Sequence, residues 1–168
     1  MNLRRQIKFL LAALFVGATS ACSSIDDERI PPTNVNVIFS TIGEWELYGV
    51  SGAGSARRFI YSERVPAGFP YKGIEGTGYG GLLLIADPLG ECHVYDLACP
   101  VCSPTISRIV ADTESDIAGI YRCNKCGSAY DVFAYGTPHS GKAATSKFGL
   151  RRYNIRIIGS SPYAIISY

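Results

Sequence analysis

Four of the six cysteines in this 168-residue chain fall into two close pairs, CPVC at 99–102 and CNKC at 123–126. Their spacing, C-x2-C-x20-C-x2-C, is typical of zinc sites in which four thiolates surround one ion tetrahedrally. Two tight turns that each supply two sulfur atoms meet this need, and Gly127 suits such a turn because glycine readily adopts positive φ. The sequence therefore predicts a metal site formed by Cys99, Cys102, Cys123 and Cys126.

Other chemistries fit the same four thiols. Thiols in an oxidising compartment form disulfides, so cross-links between the two loops are one alternative, and idle thiols are another. Thiol redox exchange is a third, although it usually requires the first cysteine of a pair at a helix N-terminus. Two further residues stay outside this set: Cys92 is expected to be a small buried hydrophobe on a strand, and His139 occupies a turn that could approach the cysteines.

The segments that must position these cysteines are predicted to be short strands separated by turn residues. No stretch keeps the apolar period of a helix for three turns. A Pro-Gly turn at 88–91 joins two of the strands and predicts a hairpin over residues 81–98. The chain is therefore expected to form a single all-β domain over residues 34–168, either a sandwich or a partly open barrel. The predicted strands cover residues 34–40, 44–50, 57–62, 81–87, 92–98, 106–111, 117–123, 129–135, 153–159 and 163–168. The strands at 92–98 and 117–123 lead into the two cysteine pairs, and we expect them to lie in one sheet, so that their following turns are neighbours.

Residues 82–158 resemble the Rieske iron–sulfur domain family. The similarity lies in a hairpin strand that leads into Cys99 and in the segment CNKCGSAYDVFAYGTPHSGKA at 123–143, which is similar to the second ligand loop of that family. The family binds a [2Fe–2S] cluster through two cysteines and two histidines, whereas Val101 and Cys126 stand at the two histidine positions here. The resemblance implies a Rieske-like fold with two cysteine-bearing loops, whose four cysteines would bind zinc, iron or an all-cysteine [2Fe–2S] cluster.

Two classes of function follow from such a site. With a redox-active metal, the domain would be an electron-transfer or redox module. With zinc, disulfides or a vestigial cluster site, it would be a non-enzymatic structural or binding component.

No catalytic constellation is recognisable elsewhere in the sequence. GTGYGG at 76–81 matches a dinucleotide-binding fingerprint by letter, but it precedes a strand instead of opening a helix. GTPHSGKA at 136–143 resembles a P-loop, but Ala143 replaces the hydroxyl residue that binds magnesium. His93 and His139 lie in no nucleophile or metalloprotease pattern. An enzymatic activity is therefore not predicted.

The first 21 residues have the three-part order of a secretory signal peptide, namely basic residues, a short apolar run and small residues. Thr19, Ser20 and Ala21 before Cys22 resemble a bacterial lipobox, in which the cysteine is acylated and becomes the first residue of the mature chain. The apolar run is too short to span a bilayer comfortably. We therefore expect the protein to be held on a membrane by acyl chains on Cys22.

Residues 22–33 contain acidic residues and prolines, and we expect them to form a solvated tether between lipid and domain. The acidic run at 26–28 resembles the export signal of surface lipoproteins in some gram-negative bacteria, which implies a location at the outer membrane or cell surface. Three of the 16 basic residues lie in the leader, so the mature part has 13 basic against 14 acidic residues. This balance argues against a nucleic-acid partner.

Replacing Cys22 with serine is expected to release the protein from membranes, because burial of the acyl chains supplies most of the membrane affinity. Metabolic labelling with a radioactive fatty acid should mark the original protein and not the Cys22→Ser variant, and the variant should move to the soluble fraction. An unlabelled variant that stays with the membranes would contradict lipid anchoring.

Overall fold

The computed structural model describes residues 24–73 and 76–168. The predicted all-β class is confirmed, because within these ranges the chain consists mainly of strands that form two sheets. Two short helices, α1 (Ile42–Tyr48) and α2 (Lys142–Ser146), accompany them. The strands are β1 (Val35–Phe39), β2 (Ala56–Phe59), β3 (Gly76–Thr77), β4 (Leu82–Ala86), β5 (Cys92–Asp96), β6 (Ile109–Ala111), β7 (Ile120–Cys123), β8 (Ala129–Asp131), β9 (Thr137–Ser140), β10 (Arg152–Ile157) and β11 (Ala164–Ser167).

The larger sheet has seven antiparallel strands in the order β2-β4-β5-β10-β11-β1-β3 and curls into a nearly closed barrel. The smaller sheet has the order β6-β7-β8-β9. The predicted hairpin over 81–98 is confirmed, since β4 and β5 pair antiparallel from Leu82 with Asp96 to Ala86 with Cys92. This hairpin leads directly into the first cysteine pair.

Strand β4 is buried on both faces, which explains its uninterrupted apolar sequence LLLIA. Leu82 and Leu84 belong to the core inside the barrel. Leu83 and Ile85 belong to a second core, which the barrel shares with the smaller sheet. Because successive side chains of a strand point to opposite faces, one element joins two cores and fixes the smaller sheet to the barrel.

The segment 44–50 begins inside a helix, and the strand predicted there was wrong. Helix α1 follows Thr41, whose hydroxyl accepts a hydrogen bond from the Glu44 backbone N–H at 3.2 Å. The Glu44 carboxylate in turn accepts a hydrogen bond from the Ser40 backbone N–H. This arrangement is close to a capping box and satisfies N–H groups of the first turn. The alternating pattern of EWELYGV favoured a strand, but the caps stabilise a helix instead.

The features that predict membrane attachment, the signal peptide over 1–21 and Cys22, lie outside the described residues. Among the helices within 24–73 and 76–168, none has the length and apolar character needed to cross a bilayer. The lipid anchor therefore stays a prediction from the sequence.

The described part of the expected tether, residues 24–33, is mostly exposed but contacts the domain at a few residues. Ile30 is fully buried. The buried guanidinium of Arg151 donates hydrogen bonds to the backbone carbonyls of Glu28 and Ile30, at 2.9 and 2.6 Å. Most residues of this segment are exposed, as expected for a solvated tether, and two of its carbonyls supply acceptors that the buried charge of Arg151 requires.

The buried carboxylate of Asp96, at the end of β5, organises the approach to the first cysteine pair. It accepts hydrogen bonds from the backbone N–H groups of Tyr79, Gly80 and Ala98 at 2.7, 2.9 and 2.8 Å, and from the Tyr153 hydroxyl at 2.9 Å. Burial raises the pKa of this carboxyl, and the four donors act in the opposite direction. Gly80 is required because a Cβ there would lie 2.6 Å from the Ala98 nitrogen. The GTGYGG segment is thus explained by close backbone packing.

Replacing Asp96 with alanine should lower the free energy of unfolding by about 3–5 kcal/mol, because several buried donors would lose their acceptor. Chemical denaturation measures this change. The same substitution at the exposed Asp116 is the matched control and should change the value by about 0.5 kcal/mol or less. Equal effects of the two substitutions would contradict the structural role of Asp96.

Candidate metal centre

The two cysteine pairs lie on loops that backbone pairing holds side by side. Cys99 comes shortly after β5 and begins a short turn, whereas Cys123 is the last residue of β7. The chain after Cys99 doubles back, so that the Cys99 N–H donates to the Ser107 carbonyl at 2.7 Å and the Ile109 N–H to the Leu97 carbonyl at 2.8 Å. Ile109 then stands opposite Cys123 in the pairing of β6 with β7. The first loop is thereby brought beside the second.

This path differs from the one expected from the sequence, which placed the strands before both cysteine pairs in one sheet. Strand β5 belongs to the barrel, and β7 belongs to the smaller sheet. The loops are adjacent because the chain first pairs Arg108 with Ala98 beside the barrel and then forms β6 against β7. The predicted convergence is observed, and its predicted cause was wrong.

The four sulfur atoms form a compact group in which all lie within 4.8 Å of one another. The closest pairs join the two loops, with 3.6 Å between the sulfurs of Cys99 and Cys126 and 3.8 Å between those of Cys102 and Cys123. Four thiolates at about 2.3 Å from a central ion stand about 3.8 Å apart in a tetrahedron. The arrangement could therefore hold one four-coordinate metal ion.

The sulfur group lies at the edge of the second core, partly covered and partly open to solvent. Cys99 and Cys123 are fully buried, whereas Cys102 and Cys126 are half-buried. Two hydroxyl groups contact the buried sulfurs: the Ser107 Oγ lies 3.2 Å from the sulfur of Cys123, and the Tyr130 hydroxyl lies 3.2 Å from that of Cys99. Hydroxyl donors at these positions stabilise negative charge on the thiolates.

The environment acts differently on the individual thiols. Burial raises the pKa of Cys99. Burial, together with hydrogen bonding to neighbouring thiols, raises the pKa of Cys102 to about 11. Burial acts in the same direction on Cys123, but hydrogen bonds from Ser107 and from two backbone N–H groups lower its pKa to about 7. Cys123 is therefore readily deprotonated near neutral pH, and metal binding by Cys99 and Cys102 releases protons.

The other candidate residues do not join this group. Cys92 packs partly against the barrel core, and His139 is exposed on β9, which occupies part of the predicted turn. Over residues 24–73 and 76–168, the sulfur group contains no histidine. Sequence reasoning missed Ser107 and Tyr130, because nothing in the spacing of the cysteines marks a hydroxyl that will contact a sulfur.

Neither a scan against models of known protein families nor a search of curated proteins returns a match. The resemblance to the Rieske family therefore stays a prediction that rests on the residues of the two cysteine loops.

Replacing Cys123 with serine should reduce bound metal and lower the melting temperature together, because a closed four-coordinate site loses a ligand. Cys92→Ser is the matched control, since it changes a thiol outside the sulfur group and should leave the metal held by the four cysteines unchanged. Metal analysis and thermal unfolding, each with and without a chelator, provide the comparison.

Oxidised cysteines would give a different pattern in the same experiment. Stability would then fall on adding a reductant and would be indifferent to a chelator, because a cross-link and not an ion would restrain the unfolded chain. That pattern would contradict the metal site.

Proposed function

We propose that the protein is a lipid-anchored electron-transfer module of the bacterial cell envelope, in which Cys99, Cys102, Cys123 and Cys126 hold one redox-active iron ion. The spacing of the four sulfurs, all within 4.8 Å of one another, supports a four-cysteine metal site, and the choice of iron rests on the Rieske-like features of the sequence. When bound by four thiolates, iron supplies a one-electron couple between its ferric and ferrous states. The Rieske-like features of the sequence agree with a redox role.

The sulfur spacing favours a single ion over a two-iron cluster. In an all-cysteine [2Fe–2S] cluster the four cysteine ligands are shared between two irons. Sulfurs on different irons must then stand farther apart than sulfurs that share one ion. Here the two shortest separations, 3.6 and 3.8 Å, both cross between the loops, and the other distances stay within 4.8 Å.

The chemistry of the surrounding residues supports electron transfer more than catalysis at the metal. Four cysteine ligands close the coordination sphere and leave no position for a substrate. The half-buried Cys102 and Cys126 bring two sulfurs towards the surface, where a redox partner can approach them. The barrel core is built without the cysteine loops, so a metal is not needed to give the domain a core.

Hydrogen bonds to the sulfurs provide a way to set the reduction potential. The reduced site carries one more negative charge than the oxidised site, and hydroxyl donors stabilise that extra charge. As donors, the Tyr130 hydroxyl at Cys99 and the Ser107 hydroxyl at Cys123 would raise the reduction potential of an iron ion held there.

Structural zinc is the second candidate, and the burial of Cys99 and Cys123 favours it. Both sulfurs are fully enclosed in the core that joins the barrel to the smaller sheet. A zinc ion with four thiolate ligands at this junction would cross-link the two sheets. The lipid anchor is unchanged in this alternative, and the protein would be a structural or binding component of the envelope.

Metal analysis and a visible absorption spectrum of aerobically purified protein distinguish the two candidates. Electron transfer predicts about one iron per chain and a thiolate-to-iron absorption that bleaches on reduction. Replacing Tyr130 with phenylalanine should then lower the reduction potential by about 50 mV, since 59 mV corresponds to a tenfold change for a one-electron couple.

Tyr121→Phe is the matched control for this shift, because Tyr121 is the cross-strand neighbour of Tyr130 and also packs in the second core. Its substitution should leave the potential unchanged. A colourless protein that contains zinc would exclude electron transfer and support the structural alternative.

A further inference from the structure

Three residues with metal-binding side chains meet on one face of the β4–β5 hairpin. Asp87 directly follows β4, Glu91 directly precedes β5, and His93 is the second residue of β5. The Asp87 N–H donates to the Glu91 carbonyl at 2.9 Å, so these two residues stand opposite each other across the hairpin. Glu91 and His93 are two residues apart, a spacing that places both side chains on the same face of a strand. The hairpin register thus gathers two carboxylates and one imidazole.

The distances within this group suit a shared metal ion. One ligand atom from each of the three residues lies within 4.8 Å of the other two. The Nε2 of His93 is 3.3 Å from the Oδ2 of Asp87, which is long for a hydrogen bond between nitrogen and oxygen. Nitrogen and oxygen ligands at about 2.1 Å from a zinc ion stand about 3.4 Å apart in a tetrahedron.

The two carboxylates supply the negative charge that a divalent cation requires. Like charges directly opposite each other on paired strands destabilise the pairing. The Asp87 side chain is only 11% exposed, whereas Glu91 lies in solvent, which screens this repulsion. A divalent cation held between Asp87 and Glu91 would be attracted by both carboxylates.

Contacts outside the group fix two of the three side chains. The Oδ1 of Asp87 accepts hydrogen bonds from the backbone N–H groups of Leu89 and Glu91 at 2.9 and 2.8 Å, which leaves Oδ2 directed at His93. The His93 ring contacts Tyr95 and Tyr135, with centroid distances of 6.4 and 5.5 Å. Metal ligands are commonly oriented in this way by neighbouring groups.

We propose that Asp87, Glu91 and His93 form a second metal site, which binds a divalent transition-metal ion of the zinc class. Imidazole and carboxylate oxygen are ligands that such ions accept. Three protein ligands leave a fourth position for water, unlike the closed cysteine site. The proposal uses none of the cysteines and is independent of the proposed electron-transfer function.

A zinc titration of the full-length protein, followed by calorimetry after the cysteine site has been filled, tests this proposal. We expect one further equivalent of zinc to bind and to raise the melting temperature. Glu91→Gln and His93→Gln should each weaken this second binding at least about tenfold, because each removes one of three ligands. Glu114→Gln and His139→Gln are the matched controls at exposed positions and should leave it unchanged.

Glu91→Gln is the decisive variant, because Glu91 is exposed and its substitution leaves the packing of the hairpin intact. Circular dichroism checks that every variant is folded. The proposal is overturned if no second equivalent binds, or if second binding survives Glu91→Gln. It is also overturned if His139→Gln weakens binding as much as His93→Gln, because zinc would then bind without a specific site.

Discussion

The hydrogen bonds to the buried carboxylate of Asp96 hold the first cysteine loop in place. This one side chain binds the glycine-rich loop through Tyr79 and Gly80, the start of the cysteine loop through Ala98, and strand β10 through Tyr153. A buried charge is tolerated only when donors surround it, so these segments cannot separate without a large cost. The position of Cys99, three residues further along the chain, follows from this constraint.

The candidate metal centre lies where two cores are joined. The β4–β5 hairpin contributes alternate side chains to the barrel core and to the core under the smaller sheet. Cys99 follows a strand of the barrel and Cys123 ends a strand of the smaller sheet. Both cysteines are part of the second core. The sulfur spacing is therefore set by packing on both sides.

Local sequence signals predicted the strands of the hairpin and the cysteines that converge. The apolar run at β4, the Pro-Gly turn and the C-x-x-C pairs are each contained within a few residues. The structure that each one favours can therefore be predicted without knowing the fold. The T-x-x-E pattern at 41–44 is also a local signal, because it is typical of a helix N-terminus, and the structure has a helix there.

Features that depend on distant residues could not be read in this way. Arg151 contacts carbonyls more than 120 positions earlier in the chain, which attaches part of the expected tether to the domain. The assignment of β5 and β7 to different sheets depends on the return of the chain through Arg108, a residue with no distinguishing local pattern. The hydroxyls of Ser107 and Tyr130 reach the sulfurs only because of that return.

X-ray absorption spectroscopy of the metal-loaded protein tests the central claim most directly, because it reports the ligands of the bound ion. A single ion held by Cys99, Cys102, Cys123 and Cys126 predicts four sulfur scatterers at about 2.3 Å and no metal–metal scattering. Metal–metal scattering at short range would contradict the single-ion site and indicate a cluster. Nitrogen or oxygen ligands in place of sulfur would contradict the four-cysteine site altogether.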